Sequence, residues 1–394
     1  MMKNENLINH LPIISIDDGI STVKFDSMPF WEGRQEKPGM GRINPFSLTA
    51  KIGSPIMQIA SEKLITDVVS AYQSDEYNFI TEPPGVSSWA TSLGEQSVMA
   101  VENVIGNNYI KNILEIGGGS TWVAGRLCER LTPENYTLVD PSVRNQEEGV
   151  EVIRDYFPNP LLTDRHFDLV LGFSVLEHVP DPLNFLCNIR KQLTDSGKVI
   201  LTYPDCEDQL RRGDINVFLH EHLSYFTEKS SRWIASVAGF NVRSLNSKHD
   251  LFTLVLEARQ GDFAFSSTLD ESGMLLHSAK MIQELLTNTA KKIRKCLDDG
   301  QHVGFHGATN GLNTFLYITG LCDYPNIRIY DGDILKEGLF LPACSSPIMS
   351  PMDISYSENS ILIISAMSFF EQIKHFAVDK SGLDPSRLLP LTGS

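Results

Sequence analysis

Short apolar runs alternate with helical patterns between residues 112 and 204, and this alternation constrains the fold more than any other feature of the chain. Four runs have the length and composition of buried strands, namely 112–117, 136–140, 167–173 and 198–204. Strands that alternate with helices at this spacing predict an α/β fold with a doubly wound parallel sheet. Two later runs, 240–245 and 251–258, predict an antiparallel pair at the edge of this sheet.

The length of the chain, 394 residues, exceeds what one core normally organises, and three consecutive domains are predicted. Residues 1–100 are expected to form an extension that shapes the substrate site, irregular over 1–50 and helical from residue 56. Residues 101–260 carry the doubly wound sheet. Residues 261–394 begin with an amphipathic helix and continue as a second, smaller Rossmann-like α/β domain.

The net charge of the chain restricts the partners that we expect, and its cysteines indicate where in the cell we expect it. The 49 Asp and Glu residues outnumber the 33 Lys and Arg residues, giving a formal charge of −16. Such a chain repels phosphate backbones and anionic membranes, so we expect a small-molecule substrate rather than nucleic acid or a membrane. Six scattered cysteines without a CxxC pair favour a reducing, cytoplasmic location, and no apolar stretch is long enough to span a membrane. The oligomeric state stays open.

The first predicted strand runs into a glycine turn that predicts a nucleoside-binding site. Gly117 and Gly119 allow the backbone to approach a ligand, and the helix that follows offers free N–H groups. Trp122 stands where a dinucleotide fingerprint has its third glycine, which disfavours NAD. Glu115 precedes the glycines and Asp140 ends the next strand, so two carboxylates are available for ribose hydroxyls and a cationic cofactor.

These residues resemble the class I S-adenosylmethionine-dependent methyltransferases, and the resemblance continues in FDLVLGFSVLEHVPDPLNFL at 167–186. That family has a similar strand-end motif beside the methionine part of its cofactor. The resemblance implies S-adenosyl-L-methionine as the cofactor, with Phe173, Ser174 and His178 lining its site. A packing or capping role for His178 is the alternative.

A second motif, FLHEHLSYF at 218–226, follows the strand that ends at Pro204, at the edge where doubly wound sheets bind ligands. Its two histidines also fit packing in a protein interior, or a metal site. No metal is expected, because too few further ligands stand near the motif. The motif resembles the Tyr-His-Glu-His segment of the sugar C-methyltransferases, and residues 306–348 resemble the carboxy-terminal Rossmann-like domain of that family.

This second resemblance implies methylation of a carbon next to the carbonyl group of a nucleotide-linked keto sugar. His222 is then the base that forms the enolate, and Glu221 orients it or binds a hydroxyl. The tyrosine that opens the family motif is Leu219 here, so Tyr225 or His220, or the tyrosine before Pro204, is expected to replace its phenol at the substrate.

Two further observations bear on the resemblance to the sugar C-methyltransferases. The first separates this chain from that family, and the second leaves the role of the second Rossmann-like domain open. No cysteine precedes Cys128, so the family's amino-terminal zinc domain is absent from the sequence. The turn HGATNG offers Asn310 and Asn313 to a nucleotide or substrate, although a domain that only closes the cleft fits equally. The alternatives are methylation of oxygen or nitrogen on another small metabolite, and a non-catalytic scaffold that binds the cofactor.

Overall fold

The computed structural model describes residues 11–31, 33–51, 53–73, 84–85, 88–260, 271–352 and 361–392. The chain divides into two compact units that do not coincide with the three predicted domains. The central unit is Ile52–Glu207 with Glu221–Asp270, and the terminal unit is Met1–Lys51, Asp208–His220 and Glu271–Ser394. Residues 1–10 of the predicted extension and the predicted boundary at residue 261 lie outside the described residues.

Strands and helices are numbered here in chain order. The strands are β1 (Ile13–Asp17), β2 (Ile20–Pro29), β3 (Ile43–Lys51), β4 (Met57–Ile59), β5 (Asn112–Ile116), β6 (Asn135–Val139), β7 (Val150–Ile153), β8 (Phe167–Phe173), β9 (Leu193–Pro204), β10 (Ser224–Tyr225), β11 (Phe240–Lys248), β12 (Leu251–Ala258), β13 (Val303–His306), β14 (Ile327–Tyr330), β15 (Ile348–Met349), β16 (Ile361–Ile364) and β17 (Leu388–Pro390). The helices are α1 (Glu62–Gln73), α2 (Ser88–Ile105), α3 (Trp122–Leu131), α4 (Pro182–Gln192), α5 (Cys206–Arg211), α6 (Glu228–Val237), α7 (Ser272–Asp298), α8 (Asn310–Ile318) and α9 (Phe370–His375). Among these described helices, none joins the length to the apolar composition that crossing a membrane requires.

The central unit contains the predicted doubly wound sheet, with the strand order β11-β12-β9-β8-β5-β6-β7. From β7 to β9 the neighbouring strands are parallel, and β12 runs antiparallel to both β9 and β11, as the sequence predicted. After β5, the chain adds β6 and then β7 on one side of β5. The next strand, β8, pairs with the other side of β5. The topological switch point therefore lies between β5 and β8, where α/β sheets bind ligands.

Apolar residues form these strands because both faces of the sheet are covered. Ile113 packs into one hydrophobic cluster and its neighbour Leu114 into another. The same division separates Leu169 from Val170 in β8. Successive side chains of a strand point to opposite faces, so burial on both faces produces the uninterrupted apolar runs of the sequence.

The terminal unit corrects the prediction of an irregular amino-terminal extension. Residues 13–51 form β1, β2 and β3, which pair antiparallel in succession. In β2 the buried Val23 and Phe25 alternate with the exposed Lys24 and Asp26, a strand pattern that the turn-forming residues around it concealed. The helix predicted from residue 56 begins only at Glu62, because β4 precedes it and pairs with β10.

A second parallel sheet completes the terminal unit, with the order β15-β14-β13-β16-β17. Its neighbouring strands are all parallel, which confirms the second Rossmann-like α/β fold. The predicted amphipathic helix is α7, which packs against β2 with its buried face. The short strands β7, β15 and β17 were not predicted, because two to four residues carry too little periodicity to recognise.

Candidate active site

The glycine turn after β5 has a backbone that only glycine adopts without strain. Gly117 and Gly119 have φ values of +73° and +63°. A Cβ added to Gly117 would lie 2.7 Å from a methyl carbon of Val175, so a side chain there collides with the chain after β8. A Cβ added to Gly119 would meet no atom of another residue within 4 Å, so the space beside this glycine is open to a ligand.

Asp140 holds the glycine turn against the loop that follows β6. One carboxylate oxygen accepts a hydrogen bond from the backbone N–H of Gly119 at 2.9 Å. The other accepts from the backbone N–H groups of Ser142 and Val143 at 2.6 and 3.2 Å. The structure thus assigns Asp140 to the shape of the turn, and its role as a ribose ligand stays a prediction.

Glu115 places a buried carboxyl group directly beneath the glycine turn. The Tyr136 hydroxyl donates to Oε2 at 2.5 Å, while Oε1 has no hydrogen-bond partner among the described residues. Burial raises the pKa of Glu115 to about 7, against the hydrogen bond from Tyr136, and the charge of Asp140 adds to the rise. An orphaned buried carboxylate oxygen beside an open glycine fits a cationic ligand such as a sulfonium cofactor.

The start of α3 also leaves backbone donors for a ligand. Thr121 is the N-cap residue of α3, and its side chain accepts no capping hydrogen bond from the helix. The first N–H groups of a helix have no partner within the helix. Beside a glycine turn, such groups bind polar or anionic ligand atoms.

The end of β8 brings a second set of predicted residues to the same edge of the sheet. Phe173 is half-buried and packs against the cluster that contains Ile113. Ser174 is exposed and has φ +53°, and its backbone N–H donates to Thr202 O at 2.8 Å. The left-handed backbone at Ser174 turns the chain out of the sheet, and Val175 then packs against Gly117.

Beyond Ser174, a short 3-10 turn at Leu176–His178 brings Glu177 and His178 to the segment that carries His222. The Nδ1 atom of His178 lies 3.0 Å from the backbone oxygen of Glu221, and the backbone N–H of Leu223 donates to Glu177 O at 2.8 Å. The rings of His178 and His222 meet edge to face with their centroids 5.1 Å apart. Both histidines therefore lie at the same edge of the sheet as the glycine turn.

Burial sets the protonation of this group of side chains. Burial lowers the pKa of His178 to about 4, against the hydrogen bond that its ring donates to Glu221 O. It also lowers the pKa of His222 well below its usual value, and His178 adds to that effect. Burial raises the pKa values of Glu177 and Glu221 to about 8. Neutral imidazoles beside buried carboxyl groups can accept protons at neutral pH.

Tyr225 contacts the ring of His222, whereas His220 packs against residues of the terminal unit. Tyr225 is fully buried, and its ring centroid lies 6.2 Å from that of His222. His220 belongs to the terminal unit, where it stacks on Phe30 at 5.0 Å and places Nε2 3.4 Å from Asn44 O. These are the surroundings of a packed interior histidine, and a role for His220 in substrate binding stays a prediction.

Asn310 and Asn313 lie in α8 of the terminal unit and bind the chain itself. The Asn310 side-chain amide donates to Phe218 O at 2.9 Å, and the Asn313 amide oxygen accepts a backbone hydrogen bond, also at 2.9 Å. The backbone N–H of Gly311 donates to the Asn216 side chain at 2.8 Å. The predicted use of this turn for a nucleotide stays a prediction.

Glu177 is the functional candidate that the sequence analysis missed. It directly precedes His178 in the VLEHV motif, and His178 is the one residue of that motif that the sequence predicted to be functional. The sequence does mark Glu177, because it is an acidic residue in a mostly apolar segment at the end of a strand. A carboxylate in such a segment needs either a charged partner or a functional role.

Comparison with known proteins gives one domain match and several fainter likenesses. Residues 96–245 match a family model described as a methyltransferase domain. The C-methyltransferase NovU of Streptomyces niveus is 24% identical over 241 residues, which cover 54% of this chain and 56% of NovU. The chain thus spans about half the length of this relative.

Two solved structures match part of this chain. The DhpI–SAH complex covers 51% of this chain and 99% of its own, with 18% identity and a TM-score of 0.37. Human N-acetylserotonin methyltransferase in complex with SAM covers 50% of this chain and 60% of its own, with 16% identity and a TM-score of 0.38.

The matched segment spans α2 to β11 and includes the glycine turn, the switch point and His222. The strand order of the central sheet confirms the predicted fold class, and the family model supports the predicted enzyme class for residues 96–245. Residues 96–245 match a methyltransferase domain and contain β5 to β9 of the predicted doubly wound sheet.

Proposed function

We propose that this chain transfers a methyl group from S-adenosylmethionine to a carbon next to a carbonyl group, with a nucleotide-linked keto sugar as the substrate class. One observation carries the proposal. A neutral imidazole, His222, lies at the sheet edge that also carries the glycine turn, and its ring nitrogens accept no hydrogen bond from the described residues. The 24% identity to the C-methyltransferase NovU supports transfer to carbon.

In this proposal, some residues of the central unit bind the cofactor and others act on the substrate. When bound, S-adenosylmethionine supplies an electrophilic methyl group on a cationic sulfur. Glu115, the glycine turn and Asp140 would hold it, because an orphaned carboxylate oxygen and an open glycine meet there. These side chains fit a cation better than they fit a polyphosphate.

His222 performs the proton transfer in this proposal. A ring nitrogen of His222 takes the proton from the carbon next to the substrate carbonyl and leaves an enolate that attacks the methyl group. Its low pKa keeps the ring neutral before the transfer, so the base is available at neutral pH. Glu221 orients His178 against this ring through its backbone oxygen.

Tyr225 best replaces the phenol that Leu219 lacks. Its ring contacts the His222 ring, whereas His220 packs on Phe30 in the terminal unit. Tyr203, the third candidate, is buried with its ring on Phe226 at 5.1 Å. A phenol near the base is suited to stabilise charge on the substrate oxygen.

Methylation of oxygen is the second candidate function, and Leu219 is the observation that favours it. A substrate hydroxyl needs a base but no donor to stabilise an enolate, so a leucine in the place of a tyrosine is tolerated. In that case His222 takes the proton from the hydroxyl group.

Solvent exchange separates the two functions. The native chain is incubated in D2O with a nucleotide-linked 4-keto sugar and without cofactor. We expect deuterium next to the carbonyl, and we expect its loss in His222→Asn. His166→Gln, which changes an exposed histidine of the same unit, is the matched control. A methylated product without prior exchange, with the methyl group on oxygen, would contradict transfer to carbon.

A further inference from the structure

We propose that Glu177, His178 and His222 form a binding site for a divalent transition-metal ion of the zinc class. The ion would occupy the imidazole lone pair that the proposed reaction needs, so the site is inhibitory. The inhibitory part rests on the proposed function, whereas metal binding itself does not. The sequence predicted no metal on the two histidines of the HxH motif, and Glu177 lies outside that motif.

The three side chains already converge on one point. A ring nitrogen of each histidine and a carboxylate oxygen of Glu177 all lie within 4.8 Å of one another. The Nε2 atom of His178 is 3.7 Å from Oε1 of Glu177. A tetrahedral zinc ion with bonds of about 2.0–2.1 Å holds its ligand atoms about 3.4 Å apart, so the side chains need to close by about an ångström.

The hydrogen bond of His178 fixes the tautomer that metal binding requires. Its Nδ1 atom lies 3.0 Å from the backbone oxygen of Glu221, and a carbonyl oxygen only accepts hydrogen bonds. Nδ1 therefore carries the proton, and Nε2 presents its lone pair towards Glu177. Metal-binding histidines make this same outer hydrogen bond from the nitrogen that does not bind the metal.

The Nε2 atom of His178 and Oε1 of Glu177 face each other at 3.7 Å. An imidazole nitrogen and a carboxylate oxygen are both ligand atoms for zinc, so one ion can bind the two side chains together.

Unpartnered buried carboxylates supply an independent reason for a cation. Glu177 is 2% exposed and Glu221 is 5% exposed, and the Oε2 atom of each has no hydrogen-bond partner in the described part of the chain. No Lys or Arg of the described residues forms an ion pair with either carboxylate. Leaving a buried polar atom without a partner is costly, and an ion bound to the carboxyl group of Glu177, which belongs to the cluster, offsets that cost.

The donor set selects the class of metal. Two imidazoles and one carboxylate suit zinc and its neighbours in the first transition row, whereas calcium and magnesium prefer a shell of oxygen atoms. Three protein ligands leave a fourth position for water or for an oxygen of the substrate. Cobalt(II) occupies such sites and absorbs visible light, so it reports on the coordination directly.

Cobalt titration tests the site without any activity measurement. The native full-length chain, stripped with a chelator, is titrated with CoCl2 and its visible absorption is recorded. We expect one ion per chain, displaced by one equivalent of ZnCl2, and at least about 100-fold weaker binding in Glu177→Gln and His178→Gln. His166→Gln is the control and should bind cobalt as the native chain does. Far-ultraviolet circular dichroism and binding of S-adenosylhomocysteine verify that each variant is folded.

Each outcome separates the metal site from the proposed reaction. A folded native chain without cobalt absorption overturns the site, and so does unchanged affinity in both Glu177→Gln and His178→Gln. Deuterium exchange that continues at saturating zinc overturns the inhibitory part. Cobalt binding in a chain that never exchanges deuterium contradicts the proposed function and leaves the metal site intact.

Discussion

In both parallel sheets the strand order reverses at a switch point. The residues at the two switch points differ in their hydrogen bonding. In the central unit, Thr121 leaves the start of α3 without a side-chain cap. In the terminal unit, the start of α8 is doubly capped: Thr309 accepts from the N–H of Leu312, and Asn216 accepts from the N–H of Gly311. Two backbone N–H groups at the start of α8 are thus capped by side chains, whereas at the start of α3 the Trp122 N–H donates to Ser120 Oγ at 3.4 Å and Thr121 caps no N–H group.

The carboxyl groups near the two switch points also differ in their hydrogen-bond partners. Asp331 follows β14 and accepts from Lys336 Nζ and from the backbone N–H of Ala308, each at 2.8 Å. In the central unit, Glu115, Glu177 and Glu221 each keep one buried oxygen without a described partner. Topology alone marks both switch points as candidate sites. Among the described residues, buried carboxyl oxygens without a hydrogen-bond partner lie only at the central one.

The largest expected effect concerns the base. We expect His222→Asn to lower the rate of methyl transfer by about 10²–10⁴-fold, the usual contribution of general base catalysis. Because His222 is not among the cofactor residues, the affinity for S-adenosylhomocysteine should stay within about twofold, as measured by isothermal titration. Unchanged turnover would remove His222 from the reaction.

The next prediction concerns the buried carboxyl under the glycine turn. The folded pKa of Glu115, about 7, lies above its ordinary value of 4.5, so the stability that it contributes is complete below pH 4.5 and is lost as the pH rises through 7. The loss is on the order of 3 kcal/mol, and Glu115→Gln should remove it. Urea unfolding at about pH 5 and at about pH 8, without cofactor, compares native chain and variant. An equal pH dependence in both proteins would show that Glu115 is ionised in the folded chain.

Two glycine variants compare the switch points directly. Gly117→Ala meets Val175 at 2.7 Å and Gly307→Ala meets the backbone of Ala366 at 2.7 Å, both with positive φ. Each should destabilise its unit by about 1–3 kcal/mol. Only Gly117→Ala should also weaken S-adenosylhomocysteine binding, by at least about tenfold, since we propose that only its turn binds the cofactor. Equal binding by both variants would contradict this assignment.

The smallest expected effect tests the cap in the terminal unit. Asn216→Ala removes the acceptor from Gly311 and should lower the stability of the chain by about 0.5–2 kcal/mol, as the loss of a helix cap does. The affinity for S-adenosylhomocysteine should not change. A variant as stable as the native chain would show that Asn216 does not act as a cap.

The sequence predicted most of the sheet around the cofactor site, because fully buried parallel strands and a glycine turn leave direct marks on it. The run 167–173 matches β8 residue for residue, and the run 112–117 exceeds β5 by a single residue. By contrast, β2 was missed, because its alternation of buried and exposed residues is weak beside the turn-forming residues around it.

By itself, the sequence determined the strands, the glycine turn, and the presence of two histidines beside Glu221. Only the tertiary structure decided that His222 meets His178 and Glu177, while His220 turns to Phe30 and Asn44 in the other unit. The physical reason is that the chain turns at His220 and Glu221, so the alternation of a strand, which would place both histidines of HxH on one side, does not hold there. Burial then decided their chemistry, because the same histidine or carboxyl group changes its proton affinity once water is excluded.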